Sequence, residues 1–317
     1  MDDLVARAGS LDLSQRGPDC LPFNPTGAKA WIRDEIDKVP RYLFRVFSEK
    51  SDGSSKADWI KSVDATSGRR DGRVDIFDCS DARVAVMLLE HLQWWPKTGG
   101  RDNFTSWTSS LLFAIYYAFF RSRSTRDGSS LTDISLCIVD TTLFPRGVWL
   151  RDMDLLTAYT GHGDNERWKL DRLRRLRTGE YPRERRFSRD FYFGEYLSQG
   201  ALDIGGRSFV VPVQCLLDHG LEHLGPRYEA FASSPGTPGQ GEPKWAEDVM
   251  KYREVFYPTN AKPRETTNAA LSAAFEIANL YEPRWRVPVA ASLLGLFPRR
   301  HDDSKILQFF HGKFPGW

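Results

Sequence analysis

The sequence predicts an α+β fold, on three observations. Short strand-like runs are separated by helical ones at irregular intervals, without the βαβ rhythm of a doubly wound sheet. Apolar residues make up 41% of the 317, enough for a substantial core, and 27% are charged, enough to solvate ends and loops. No internal repeat divides the chain, so its length fits one large domain with an extension.

Residues 1–38 are rich in Gly, Pro and Asp and read as a flexible leader with one amphipathic turn, Ala28–Ile36. Arg41–Phe47 is aromatic and branched and predicts a strand. Glu49–Gly72 is mostly polar and reads as loop, with a short helix near Trp59. In Asp81–Trp94 the apolar residues Val84, Met87, Leu88 and Leu92 recur with helical period, behind Ser80 as N-cap. Asn103–Thr108 predicts a strand, and Ser109–Arg121 a buried helix capped by Ser109 or Thr108. Strands follow at Ile134–Val139, Phe191–Tyr196 and Ser208–Val213, with a short helix at Leu155–His162 and another running to about Leu224. Ser233–Glu242 has the composition of a flexible loop, and helices at Asn268–Tyr281 and Ser304–Phe310 end the chain. The division expected is a leader at 1–38, a main domain at 39–228, and a loop with a packed helical extension at 229–317.

Composition excludes several classes. Lys+Arg is 44 against Asp+Glu 42, far from the basic excess of a dedicated nucleic-acid binder. Cys20, Cys79, Cys137 and Cys215 are widely spaced, without a CxxC pair, and read as reduced thiols of a cytoplasmic protein. Met1–Asp12 has no apolar segment of the signal-peptide kind, and the longest apolar stretch, Leu111–Phe120, is about half of what a bilayer span needs. Walker A, GxGxxG, HExxH and GxSxG motifs are absent. Cys215, His219 and His223 share a helical face, but residues eight apart stand about 12 Å apart along the axis. A zinc ion reaches ligands at about 2.0–2.3 Å, so these three cannot hold one ion together.

Three segments carry the chemistry. They are Tyr42-Leu-Phe-Arg45-Val-Phe-Ser48, Asn103-Phe-Thr-Ser106-Trp107-Thr108-Ser109-Ser110, and Tyr192-Phe-Gly-Glu195-Tyr-Leu-Ser-Gln-Gly200. An Arg on a first strand is followed by hydroxyl residues at a strand-to-helix junction and then by a Glu on a late strand. This order resembles the Arg–Ser–Glu branch of the ADP-ribosyltransferase superfamily over about residues 41–226, and it is also similar to an uncharacterised domain of filamentous-fungal proteins. The resemblance implies split antiparallel β-sheets with flanking helices. It also implies NAD as substrate, and cleavage of the nicotinamide–ribose bond by a transferase or a glycohydrolase.

On that resemblance Glu195 is the catalytic residue. It would stabilise the oxocarbenium-like state through which such a bond breaks. Arg45 would clamp an NAD phosphate or its ribose with a planar two-donor fork. Ser106, Thr108 or Ser109 would orient Glu195 and the ribose, and Trp107 would offer a flat face to nicotinamide. Two registers stay open. Either Thr108 and Ser109 match the end of the family's Ser-Thr-Ser strand, with Trp107 in the first Ser position, or Ser106 is the functional hydroxyl. A one-residue shift reverses the facing side. Phe193 stands two residues before Glu195, where arginine-modifying members carry Glu, which favours hydrolysis or another acceptor.

The stretch Trp168–Arg189 is crowded with cations, among them Arg174, Arg175, Arg185 and Arg186. A solvated helix face is one reading of it. The other is a patch that attracts phosphates of NAD or of a nucleic-acid acceptor. Three classes therefore compete: an NAD-cleaving enzyme, a non-catalytic binding module on the same fold, and a nucleic-acid-directed modifier.

Overall fold

The computed structural model describes residues 20–92, 101–160, 165–178, 180, 192–224, 249, 265–297 and 303–314, with the side chains of 165–178 described from 169 onward. The fold is α+β. Six antiparallel strands form the main sheet: β1 (Tyr42–Phe47), β4 (Phe104–Thr108), β5 (Ser135–Asp140), β6 (Leu150–Arg151), β7 (Glu195–Gln199) and β9 (Ser208–Pro212). Their order is β6-β7-β4-β1-β5-β9. A second antiparallel sheet has the order β2-β3-β8, from Ser54–Ser55, Trp59–Lys61 and Ala201–Asp203. The chain crosses from one sheet to the other at Gly200. Its φ is +69°, and an added Cβ would lie 2.8 Å from the Gly72 carbonyl, so both the turn and the close approach require glycine there.

Side chains alternate along β1, and each face takes its own cover. Phe44 and Val46 join Leu136, Ile138 and Val211 under α2 (Leu111–Arg123), α6 (Asn268–Asn279) and α7 (Pro283–Leu294). Leu43 and Phe47 join Trp107, Cys137, Val139 and Tyr196 on the other face, against Ile60 and Leu202 of the smaller sheet. A third cluster lies at the β4–β7 end. There α1 (Asp81–Leu92), α3 (Asp152–Tyr159) and Leu170 of α4 (Asn165–Thr178) cover Phe104, Leu150 and Leu197. A short α5 (Val213–Asp218) and α8 (Ser304–Lys313) complete the helices named here.

Several expectations are corrected. Residues 20–38 are not loose: Phe23 and Ile32 are buried, Leu21 bridges to Gln199, and Gly27–Asp34 forms a 3-10 helix. Residues 1–19 of the expected leader and the loop Ser233–Glu242 lie outside the described residues. Trp59 sits in a strand, not a helix, because β8 pairs with it from 144 positions away, Trp59 opposite Asp203. The helix after β4 is capped by Ser110, whose Oγ accepts the Phe113 N–H at 3.2 Å, while Thr108 and Ser109 turn elsewhere. The late strand begins at Glu195 rather than at Phe191.

Helix α7 escaped the sequence reading because Pro283 and Pro288 both look like breakers. Pro283 occupies the first helical turn, where no N–H is needed, and burial of Trp285, Val289 and Leu293 outweighs the bond lost at Pro288. The extension belongs to the same core as α2. Helix α5 ends at Asp218, so Cys215, His219 and His223 do not share one helix, and His219 Nδ1 lies 2.7 Å from the Cys215 carbonyl. No disulfide joins the four cysteines. No helix among the described residues is long and apolar enough to cross a membrane.

Candidate functional site

Strands β1, β4 and β7 are neighbours, which places the three sequence segments side by side. Thr108 lies opposite Glu195, and Ser106 opposite Leu197. The period of two therefore puts Ser106, Thr108 and Glu195 on one face and Trp107 and Tyr196 on the other. The hydrogen bonds then separate the two hydroxyls. Ser106 donates its hydroxyl to Glu195 Oε1 at 2.7 Å. Thr108 donates instead to the Phe193 carbonyl at 2.7 Å, and the Ser109 N–H to the Gly194 carbonyl at 2.8 Å. Those two residues hold the backbone leading into Glu195 and do not reach its carboxylate.

Gly194 makes that approach possible. Its φ is +69°, and an added Cβ would stand 2.1 Å from Ser109 Oγ. Gly194→Ala is expected to destabilise the protein by about 1–3 kcal/mol, from the left-handed backbone together with the displaced serine. Urea titration measures the loss. A change under half a kcal/mol would show that the Ser109 clamp yields freely.

Trp107 does not offer the free face expected of it. It is 2% exposed, its indole N–H donates to Ser198 Oγ at 2.9 Å, and Trp149 packs edge-on against it. Its position on the smaller-sheet side of β4 makes it core.

Arg45 occupies the junction of the two sheets. Strands β1 and β4 share the register pair Phe44–Thr108, and from there the guanidinium reaches across, Nη1 to the Ser106 carbonyl at 2.8 Å and Nη2 to Ser55 Oγ at 3.2 Å. Its Nε is sealed from solvent and has no hydrogen-bond partner, and among the described residues no salt bridge joins it to a carboxylate, although the charge of Asp102 reaches it. Burial, and then the nearby Arg121 charge, push its pKa down to about 10, so it remains a cation at neutral pH. Arg45 and Glu195 meet at Ser106 from different sides: the cation takes its carbonyl and the carboxylate its hydroxyl.

Glu195 is one-fifth exposed, and its second oxygen is held by Arg177 of α4, Nη2–Oε2 2.9 Å. Arg177 also pairs with Asp152, the fully buried first residue of α3. On the other side of Ser106, His91 Nε2 lies 2.8 Å from its Oγ, and His91 Nδ1 lies 2.7 Å from Asp102 Oδ2. The result is a continuous polar chain, Asp102–His91–Ser106–Glu195–Arg177–Asp152, beneath helices α1, α3 and α4.

Sequence reasoning missed His91, Asp102, Arg177 and Asp152, although a signal existed for two of them. His91 is three residues after Leu88 and seven after Val84, both fully buried, so a polar side chain falls on an apolar stripe. Arg177 likewise follows Leu170 by seven and Leu173 by four. Asp102 and Asp152 carry no periodic mark, because each sits at the start of an element. Of the cations proposed as a phosphate guide, Arg174 pairs with Asp171 and Glu180, and Arg175 with Asp171. Arg185 and Arg186 lie outside the described residues. Among the described residues no group of three or more His, Cys, Asp or Glu is arranged to hold a metal ion.

A family model described as a domain of unknown function (DUF7587) matches residues 38–176, less than half of the chain. The chain is similar to that family over this region. The matched region carries Arg45, His91, Asp102, Ser106 and Asp152, and stops one residue before Arg177 and well before Glu195. No curated protein and no solved structure matches the chain.

Proposed function

We propose that the protein cleaves NAD at the nicotinamide–ribose bond, as an ADP-ribosyltransferase or NAD glycohydrolase on an ADP-ribosyltransferase-like fold, with Glu195 as the catalytic carboxylate. The observation that carries the reading is the pairing at Ser106. A carboxylate oriented by the Ser106 hydroxyl lies on one face of the sheet, and from the other face a buried guanidinium, without a carboxylate partner among the described residues, takes the Ser106 carbonyl. A buried cation is costly unless an anion meets it, and a dinucleotide phosphate supplies that anion. Glu195, one-fifth exposed, supplies the negative charge that an oxocarbenium-like sugar needs. Incubation with NAD followed by mass spectrometry tests the proposal: free nicotinamide with ADP-ribose, or with an ADP-ribosylated acceptor, supports it. Neither binding nor turnover at millimolar NAD would end it.

Arg45→Lys keeps the charge and loses the fork. Its NAD dissociation constant is expected to rise about tenfold, the equivalent of one hydrogen bond to a charged group, with the thermal melt little changed. Unchanged affinity in both Arg45→Lys and Arg45→Ala would assign Arg45 to the fold alone.

A second reading is favoured by one contact. The Arg177–Glu195 ion pair occupies a carboxylate oxygen, which is what a non-catalytic binding module on the same fold would show. Such a module binds NAD or another nucleotide in a titration and releases no nicotinamide.

A further inference from the structure

Resting on the NAD-cleaving reading, we propose that His91, oriented by Asp102, is a positioning residue for Glu195 and acts through the Ser106 hydroxyl. Three contacts carry this. Asp102 Oδ2 stands 2.7 Å from His91 Nδ1, His91 Nε2 stands 2.8 Å from Ser106 Oγ, and Ser106 Oγ stands 2.7 Å from Glu195 Oε1. The spacing is that of hydrogen bonds throughout. Asp102 is itself anchored, because its other oxygen accepts the Phe104 N–H at 2.9 Å. The side chains of His91 and Asp102 are 8% and 3% exposed, so water does not compete for these bonds.

A single proton decides the direction of the chain. A serine hydroxyl has one hydrogen to give and lone pairs to receive. Ser106 faces two neighbours that could each accept that hydrogen, the Glu195 carboxylate and the imidazole Nε2. If Ser106 gives it to His91, Glu195 Oε1 loses its donor, and the carboxylate is held only at the Arg177 side. If His91 donates from Nε2, the hydroxyl proton is committed to Glu195, and the carboxylate is fixed at both oxygens. With Asp102 at Nδ1, the ring proton of a neutral imidazole lies on that nitrogen and Nε2 accepts from Ser106; Nε2 donates to Ser106 only when both nitrogens carry protons, and that is the direction the NMR readout below tests. A nucleophilic serine is the other chemistry such an Asp–His–Ser arrangement suggests. The carboxylate 2.7 Å from the same hydroxyl opposes it, since charge developing on Oγ would meet an anion. Around the chain, Arg177 pairs with Asp152 beyond Glu195, and at the His91 end the charge of Asp102 also reaches Arg45.

The test uses the full-length protein and three readouts. In the first, NAD cleavage is measured for the parent, His91→Leu and His91→Gln. His91→Leu fills the space without a donor, and its kcat is expected to fall at least tenfold with KM for NAD within about twofold, because a misdirected carboxylate weakens the transition state more than the ground state. His91→Gln restores an N–H toward Ser106 and is expected to recover a substantial part of that loss. Thermal melts of both variants accompany the rates. If His91→Leu cleaves NAD at the parent rate, or if Gln and Leu at position 91 lose rate and melting temperature equally, His91 merely fills the core and the proposal falls.

The second readout does not depend on NAD. Nitrogen-edited NMR follows the His91 ring in the parent, Ser106→Ala and Glu195→Gln. A His91 Nε2 proton is expected to be visible and slow to exchange in the parent, lost in Ser106→Ala, and displaced in Glu195→Gln although Glu195 does not touch the ring. A His91 spectrum unmoved by Glu195→Gln overturns the coupling whatever the protein does with NAD. A parent that leaves NAD intact while His91 answers to Glu195→Gln removes the NAD reading and upholds the Asp102–His91–Ser106–Glu195 chain. The third readout is labelling by a fluorophosphonate. Covalent modification of Ser106 would assign it as a nucleophile and overturn its role as a relay to Glu195, whereas an unlabelled Ser106 upholds that role.

Discussion

Glu195→Gln is expected to cleave NAD about two to three orders of magnitude more slowly than the parent, the equivalent of roughly 3–4 kcal/mol of transition-state stabilisation. The substitution keeps the size and the hydrogen-bonding capacity of the side chain and removes its charge. Ser106 can still donate to the amide oxygen, and Arg177 keeps Asp152 as its partner. The strand pairing of Glu195 with Thr108 involves backbone alone. The melting temperature and the NAD dissociation constant should therefore change little, and the loss should fall on kcat. Glu180→Gln is the control: it is an exposed carboxylate paired with Arg174, and its change should leave the rate as it was. Equal rates in the parent and Glu195→Gln would remove Glu195 from the chemistry. A loss of rate that follows a loss of folding would make it structural.

Arg177→Met is expected to destabilise the fold by about 3–5 kcal/mol, because it strands a buried carboxylate. The side chains involved are 8% exposed for Arg177 and 0% for Asp152. Burying an ion pair contributes little by itself, but removing one partner leaves the other uncompensated in a medium that solvates it poorly. Glu195, one-fifth exposed, can turn to water and suffers less. The double substitution Arg177→Met with Asp152→Asn should regain much of the loss, and Asp152→Asn alone should cost less than Arg177→Met alone. Urea unfolding of the three variants measures this. If Arg177→Met lies within about 1 kcal/mol of the parent, the pair is solvated in solution and the usual small value of an exposed salt bridge applies.

Much of the secondary structure was legible because it is written locally. Val84, Met87, Leu88 and Leu92 mark α1, and the run from Tyr42 to Phe47 marks β1, since side-chain period and branching act within a few residues. The exceptions have distant causes. Trp59 becomes a strand because Asp203 pairs with it, and α7 survives Pro288 because Trp285 and Val289 are buried under other elements. Residues 20–38 look loose by composition and are fixed by long-range contacts such as Phe23 N–H to the Gly147 carbonyl.

The sequence by itself determined the α+β class, the order of Arg45, the hydroxyl strand and Glu195, and the cap region before α2. Each of these depends on residue type and on spacing along one segment. Only the tertiary structure decided which hydroxyl meets Glu195, because that contact is set by the pairing of β4 with β7, two strands that Ser106 and Leu197 join across 91 positions, and by the turn of Thr108 to the Phe193 carbonyl. It alone turned Trp107 into core, placed Arg45 on the Ser106 carbonyl, and set His91 and Arg177 at the two ends of the Ser106–Glu195 pair. Those roles come from side chains of distant segments sharing one dry space, where a polar group without a partner is too costly to persist.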